Sequence, residues 1–259
     1  MAGWSAEPWP AGLLLLSVTL YVAGLIRMGP ARRAAIAPPR RVAAYVGAAF
    51  LLVLALFSPI DRRADDSFAW HMAQHLILML GAGPLLAVAN THLVSLCALP
   101  LGARRRAGRA VNRAPGVRPG ASSRVAPLIA ALAFTLGLWI WHAPGLYGAA
   151  LESPPLHTLE HLTFLATSAI FWRMVATSGQ RRLDPGSAIL IVSIVGLQGN
   201  LMAVLILLAP DPIYSRYAAN TLGDQQIAAM LMLVPASLLY LSASIGALIK
   251  LLPLKLRPS

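Results

Sequence analysis

A single cysteine, Cys97, is all the thiol this 259-residue chain holds, so an internal disulfide and any CxxC metal or redox motif are excluded. Charge is nearly as scarce. Only 12% of residues are charged, about half of what a soluble domain carries. Acids are rarest, nine Asp and Glu against 21 Lys and Arg, for a formal net charge of +12. The first twelve residues, "MAGWSAEPWPAG", contain no Lys or Arg. A cleaved secretory leader begins with a basic stretch, so the first apolar run is expected to be a retained span. In place of charge there is apolar mass. The chain is 58% hydrophobic with a mean hydropathy of +0.68, the composition of a chain that lives in a bilayer.

Seven apolar runs are long enough to cross a bilayer, which needs roughly 20 residues per helix. They cover about 10–27, 41–59, 69–98, 125–142, 157–177, 187–209 and 225–250. The expected fold is an all-α integral membrane protein, one seven-helix domain over 1–259. Trp4 and Trp9 suit the interface at the first run. The third run is long, and Gly81, Gly83 and Pro84 are where a kink is expected. Pro235 could kink the seventh.

Assigning the connections alternately to two sides sorts the charges. One side collects 18 of the 21 basic residues, including Arg104, Arg105, Arg106 and Arg109. The other has only Arg62, Arg63 and Arg216, yet carries eight of the nine acids. Basic residues stay cytoplasmic, which predicts an outside N-terminus, a cytoplasmic C-terminus and an odd number of spans. The segment 101–124, "LGARRRAGRAVNRAPGVRPGASSR", reads as a basic flexible cytoplasmic loop resting on anionic lipid. A nucleic-acid site is the sharper reading of such a run, but there are no aromatic residues in it to stack on bases. No nucleic-acid partner is expected.

The histidines are not scattered. "HMAQHL" places His71 and His75 four apart at the start of the third span, and "HTLEHL" repeats this with His157 and His161 on the fifth. His142 closes the fourth span at the same predicted depth. Residues i and i+4 share a helix face about 6 Å apart along the axis, so each pair can aim both rings at one ion. A lone HxxxH is more often a hydrogen-bonding interfacial pair. Both pairs together with His142 on one face favour a metal site. Glu160 is a candidate partner for an imidazole N–H or a further ligand. Met72 and Met79 lie beside and one turn from the first pair. Thioether with imidazole suits Cu(I), which tilts the choice from zinc to copper, although methionine in a span is often packing. Asp224, Gln225 and Gln226 open the seventh span and could approach the cluster, or could simply start a helix. His92 and Cys97 sit toward the other face and are read as packing residues.

"FAWHMAQHLILMLGAGPLLA", "LWIWHAPGLYGAAL", "PLHTLEHLTFLATSAIFW" and "LGDQQIAAMLMLVPASLLY" resemble the multi-span CtaG family of cytochrome c oxidase assembly factors, over about residues 41–245. The resemblance implies seven spans in a bacterial inner membrane and a role in maturing a haem-copper oxidase by delivering copper to its buried copper site. It matches His71, His75, His142, His157 and His161 to the family's histidines, and Asp224 by a looser correspondence. The expected action is transfer, not catalysis: Cu(I) arrives from a periplasmic carrier, rests on the histidines and leaves by ligand exchange to an oxidase subunit docked laterally. A homo-oligomer is left open. The alternatives are a membrane metal- or haem-dependent oxidoreductase or hydrolase using the same histidines, and a transporter. Transport demands polar groups along a path through the bilayer. Only Gln198 and Asn200 stand at mid-membrane, where hydrogen bonding between helices explains them.

Overall fold

The computed structural model describes residues 8–113, 125–176, 183–214, 217 and 221–251. Trp4, Arg118, Arg124, Arg181, Arg182, Arg216, Lys255 and Arg257 lie outside them, so their predicted sides of the membrane have no structural counterpart. Among the described residues the regular structure is helical, with no strand.

Proline opens much of it. α1 (Pro8–Arg27), α2 (Pro30–Ile36), α3 (Pro39–Phe57), α4 (Pro59–Ala64), α10 (Pro144–Glu152), α11 (Pro154–Ala176) and α12 (Pro185–Leu207) all begin on one. The first helical position needs no N–H and welcomes the fixed proline φ. α12 adds an Asp184 cap, whose Oδ1 accepts from Ser187 N at 2.9 Å. The remaining helices are α5 (Phe68–Leu76), α6 (Gly83–Val88), α7 (Thr91–Ala98), α8 (Leu101–Arg113), α9 (Val125–Trp141) and α13 (Leu222–Leu251).

Five helical stretches are long and apolar enough to cross a membrane: α1, α3, Phe68–Val88, α12 and α13. The bent pair α9–α10, angled by 76°, makes a sixth if it counts as one span. The chain is therefore a helical membrane protein. α11, expected as the fifth of seven spans, does not join this set although it is 23 residues long. His157, Thr158, Glu160, His161, Thr163, Thr167 and Arg173 lower its apolar content. Its buried polar residues, Glu160, His161 and Ser168, lie on the side packed against α6, α9, α10 and the turn before α6, while Leu159, Leu162 and Ile170 stay exposed. Lipid-facing surface is plain elsewhere: Leu190, Ile194, Leu197, Leu201 and Leu205 form an exposed apolar face of α12.

The third run departs from a simple kink. α5 passes into a π-helical stretch, Ile77–Ala82, before α6. Pro84 has no N–H, and at the π spacing the carbonyl it would have served is that of Met79. Ser168 of α11 supplies the missing donor, its Oγ donating to Met79 O at 2.6 Å. Gly83 lets the two helices meet, because a Cβ there would lie 2.1 Å from Ser168 Oγ. The run then ends early, at Val88. Asn90 adopts φ +53°, a left-handed conformation that Asn tolerates better than most residues. Arg173 Nη1 donates to Asn90 Oδ1 at 2.7 Å, and α7 leaves α6 to pack on α1. That contact is tight: a Cβ on Gly24 would lie 2.0 Å from the Val94 carbonyl oxygen.

The basic segment also differs from its reading as a loop. It is helical over Leu101–Arg113, as α8. Ala and Arg are strong helix formers.

Packing forms two main apolar centres. One gathers Phe134, Trp141, Phe164, Phe171, Trp172, Val192 and Tyr240 in the body of the bundle. The other, at one end, gathers Phe68, Met72, Tyr147, Met202, Tyr214, Tyr217 and Met232. Between them lies the polar site.

Candidate metal centre

The start of α5 is fixed from several sides. Ser67 caps it, and Asp224 of α13 accepts from Ser67 Oγ at 2.7 Å and from Phe68 N at 2.8 Å. One buried turn later, Gln74 Nε2 donates to Ala55 O at 2.9 Å and to Asp61 Oδ1 at 2.7 Å, tying α5 to α3 and α4. The helix that presents His71 and His75 is therefore held on one face by α13 and on another by α3 and α4.

α11 presents His157 and His161 opposite. The rings form a four-sided box. His71–His75 and His157–His161 are 4.4 and 4.2 Å apart by ring centroid, and both cross-helix sides, His71–His157 and His75–His161, are 5.2 Å. One nitrogen from each ring lies within 4.8 Å of those from the other three. A tetrahedron of nitrogens with bonds of about 2.05 Å has edges of about 3.3 Å, so small ring movements would bring all four onto one ion. His71, His75 and His161 are buried, and His157 is the partly exposed member.

The box is also unsatisfied. Nε2 of His71, His157 and His161, both ring nitrogens of His75 and both carboxylate oxygens of Glu160 are buried without a hydrogen-bond partner. Each such atom costs about 1–3 kcal/mol, and here seven surround one point. Glu160 has no exposed surface. Its Oε1 is 3.8 Å from His75 Nε2, too far for the expected hydrogen bond but close enough to offset positive charge. This donor set, imidazoles with one carboxylate, fits a first-row transition metal.

Tyrosines that the sequence reading passed over complete the site. Tyr217 OH donates to Ala64 O at 3.0 Å and lies 3.1 Å from His71 Nδ1. Both contacts are satisfied when His71 carries its proton on Nδ1 and gives it to the phenol oxygen. Nε2 is then bare and faces the box. Tyr147, from α10, donates to Tyr217 OH at 3.3 Å, and Tyr214 OH donates to His142 O at 3.0 Å. The bend between α9 and α10 brings Tyr147 over the box.

The other sequence candidates fall around it. His142 stands apart from the four, its ring centroid 6.4 Å from that of His75. Its Nδ1 donates to Leu138 O at 2.8 Å, and its Nε2 is 3.4 Å from Met72 Sδ. Met79 packs with Phe134 and Phe164 in the apolar body. Gln225 holds the preceding loop, accepting from Ile213 N at 2.8 Å and donating to Ile206 O at 3.1 Å. Gln226 lines an apolar groove with Ile227, Met230 and Val234. Asn200 accepts from Ser237 Oγ at 3.2 Å, a bond between α12 and α13 of the kind expected for it. His92 and buried Cys97 lie on α7, away from the box.

Residues 19–252 match the profile of the family described as cytochrome c oxidase caa3 assembly factor, Caa3_CtaG. No curated protein and no solved structure matches the chain. A match over most of its length means that the chain belongs to this family.

Proposed function

Starting from that membership, we propose that the protein holds copper on His71, His75, His157 and His161 and delivers it to a haem-copper oxidase during assembly. The observation that carries this reading is the group of buried, unpartnered imidazole nitrogens and Glu160 oxygens around one point. Buried polar atoms are normally paired, and imidazole nitrogens and carboxylate oxygens gathered round one point offer lone pairs suited to a cation. Imidazole binds zinc as well as copper. An oxidase with a buried copper site is the client that selects copper.

Each part of the site has a task in such a transfer. The four rings bind in their neutral form, and Tyr217 keeps the His71 lone pair turned inward. Glu160 supplies a negative charge that lowers the cost of a cation in an apolar surrounding. Asp224 orients α5. His157, the most exposed ring, is the one the ion passes as it enters and leaves. Ligand exchange moves the ion without changing its charge, and neighbouring rings can replace one another as donors along the way.

The remaining expectations belong to the same reading. α11 and α9–α10 complete seven spans, with the N-terminus outside and the C-terminus in the cytoplasm, in a bacterial inner membrane. The box then faces the periplasm, where a soluble copper carrier can reach it and an oxidase subunit can dock from the side. α8 carries Arg104, Arg105, Arg106 and Arg109, which suits it to lie on anionic headgroups.

The test is metal content after anaerobic Cu(I) loading and desalting, on wild type and on His157→Ala/His161→Ala, with zinc loading in parallel. Copper retained by wild type and lost by the variant is expected. Wild type that keeps zinc but no copper would end the copper assignment, and retention unaffected by the double substitution would remove these histidines as ligands.

A further inference from the structure

His142 and Met72 make a contact that the four-histidine box does not explain. Nδ1 of His142 faces the Leu138 carbonyl oxygen at 2.8 Å. A carbonyl only accepts, so Nδ1 carries the ring proton, and the neutral ring presents a bare lone pair at Nε2. That nitrogen is in contact with a thioether sulfur 3.4 Å away. Sulfur in methionine has no proton to give. Two acceptors thus face each other at contact distance, both in the interior: Met72 is 1% exposed and His142 7%.

Both groups are firmly placed, so the contact is built into the fold. Met72 sits between His71 and His75 on the anchored first turns of α5 and packs in the apolar cluster with Phe68 and Tyr147. His142 is held through Nδ1 and through its own carbonyl, which accepts from Tyr214 OH at 3.0 Å. The separation also has the right size. With bonds of about 2.0 Å to nitrogen and about 2.3 Å to sulfur, the lengths met at zinc, donors 3.4 Å apart subtend roughly 105° at a shared ion. That angle lies a few degrees below the tetrahedral value.

We propose that His142 Nε2 and Met72 Sδ form a second metal position beside the box, one selective for soft monovalent copper. A thioether is a soft ligand that favours Cu(I) over zinc or Cu(II). The box, all nitrogen and oxygen, makes no such choice. The second position therefore supplies the discrimination that the box lacks. Met72 lies on the same helix face region as the box histidines, and the His75 and His142 rings are neighbours at 6.4 Å. An ion on the pair needs to exchange only one or two ligands to enter the box. The step is ligand exchange at constant oxidation state: a copper–sulfur bond breaks as a copper–imidazole bond forms, and no electron moves. This inference rests on the reading of copper as cargo.

The experiment is anaerobic Cu(I) loading of the full chain in lipid nanodiscs, then metal counting and copper-edge X-ray absorption. Wild type is expected to show a sulfur scatterer and about two coppers per chain. Met72→Leu, a substitution of similar volume, should lose the sulfur signal and about half the copper while keeping its metal-free unfolding temperature. His157→Ala/His161→Ala should keep the sulfur signal and lose the rest. Selenomethionine-labelled wild type gives an independent readout that needs no substitution at the site: a copper neighbour at the selenium edge, absent in labelled Met72→Leu. Copper bound with nitrogen and oxygen neighbours alone would overturn the second position and leave the proposed function standing. A sulfur signal that survives Met72→Leu would also overturn it. Wild type that retains no copper would defeat both.

Discussion

At the scale of single residues, the site divides into groups with a spacing and groups without one. The two HxxxH pairs were legible because an i, i+4 repeat on a helix has one geometric meaning; His142 ends an apolar run at the matching depth but stands apart from the four. Tyr217 was not. It is one tyrosine in a connection between α12 and α13, with no periodicity to connect it to His71, 146 residues away in sequence. Its role is nonetheless specific. Tyr217→Phe removes the nearer partner of His71 Nδ1, leaving Ala64 O at 3.4 Å, and the donor to Ala64 O, and is expected to cost about 1 kcal/mol of stability. Groups that orient a ligating imidazole are worth roughly 10–100-fold in metal affinity, so copper retention against a competing chelator should weaken within that range. An unchanged competition curve would mean that the phenol does not set the ring. Glu160→Gln keeps the shape and removes the charge. It should weaken copper retention by about 10-fold or more with little change in the helical circular dichroism of the metal-free protein.

Elements were legible as far as apolar length and proline placement reach. The runs that become α1, α3, α12 and α13 declare themselves by composition, and proline marks the starts of seven helices. What the third run does was only half visible. Gly81, Gly83 and Pro84 announced a distortion, but its form depends on Ser168, a residue of another helix, which no local pattern can reveal. The break at Asn90 is similar, because Arg173 comes from α11. Gly83 offers a direct test. Gly83→Ala places a Cβ where Ser168 Oγ stands, and overpacking of this kind costs about 1–3 kcal/mol. The thermal midpoint in detergent should fall accordingly. Adding Ser168→Gly removes both the Oγ and the Cβ that would lie 2.7 Å away; it should relieve the clash and recover part of that loss, though not the hydrogen bond to Met79 O. If the double variant is no more stable than Gly83→Ala alone, the close approach at Gly83 is not what holds α6 against α11.

For the whole molecule, charge asymmetry predicted more than hydropathy alone can support. Hydropathy finds five spans, or six with the bent pair, whereas the distribution of Lys and Arg asks for an odd count. The difference arises at α11, which carries half of the box and is too polar to pass as a span by composition. A helix that turns its polar face, here Glu160, His161 and Ser168, to its neighbours and an apolar stripe outward can carry such residues. Reporter fusions separate the counts. With seven spans, alkaline phosphatase should be active when fused to the N-terminal side and inactive at the C-terminus, where a fluorescent protein should mature. Both termini reporting the same side would exclude seven.

The π-helical stretch has a further consequence, which is one of phase. An α-helix turns about 100° per residue, and a π turn holds one residue more than its α counterpart. Ile77–Ala82 therefore sets the rotational offset between the half of the helix that carries His71 and His75 and the half that Gly83 seats against Ser168. Deleting a single residue there would leave an ordinary, well-formed helix. It would also swing the histidine pair by about a quarter turn, away from His157 and His161. The extra residue acts as the timing mark between an anchored half and a binding half, and a chain shortened by one residue at that place could fold, insert and still be unable to close its box.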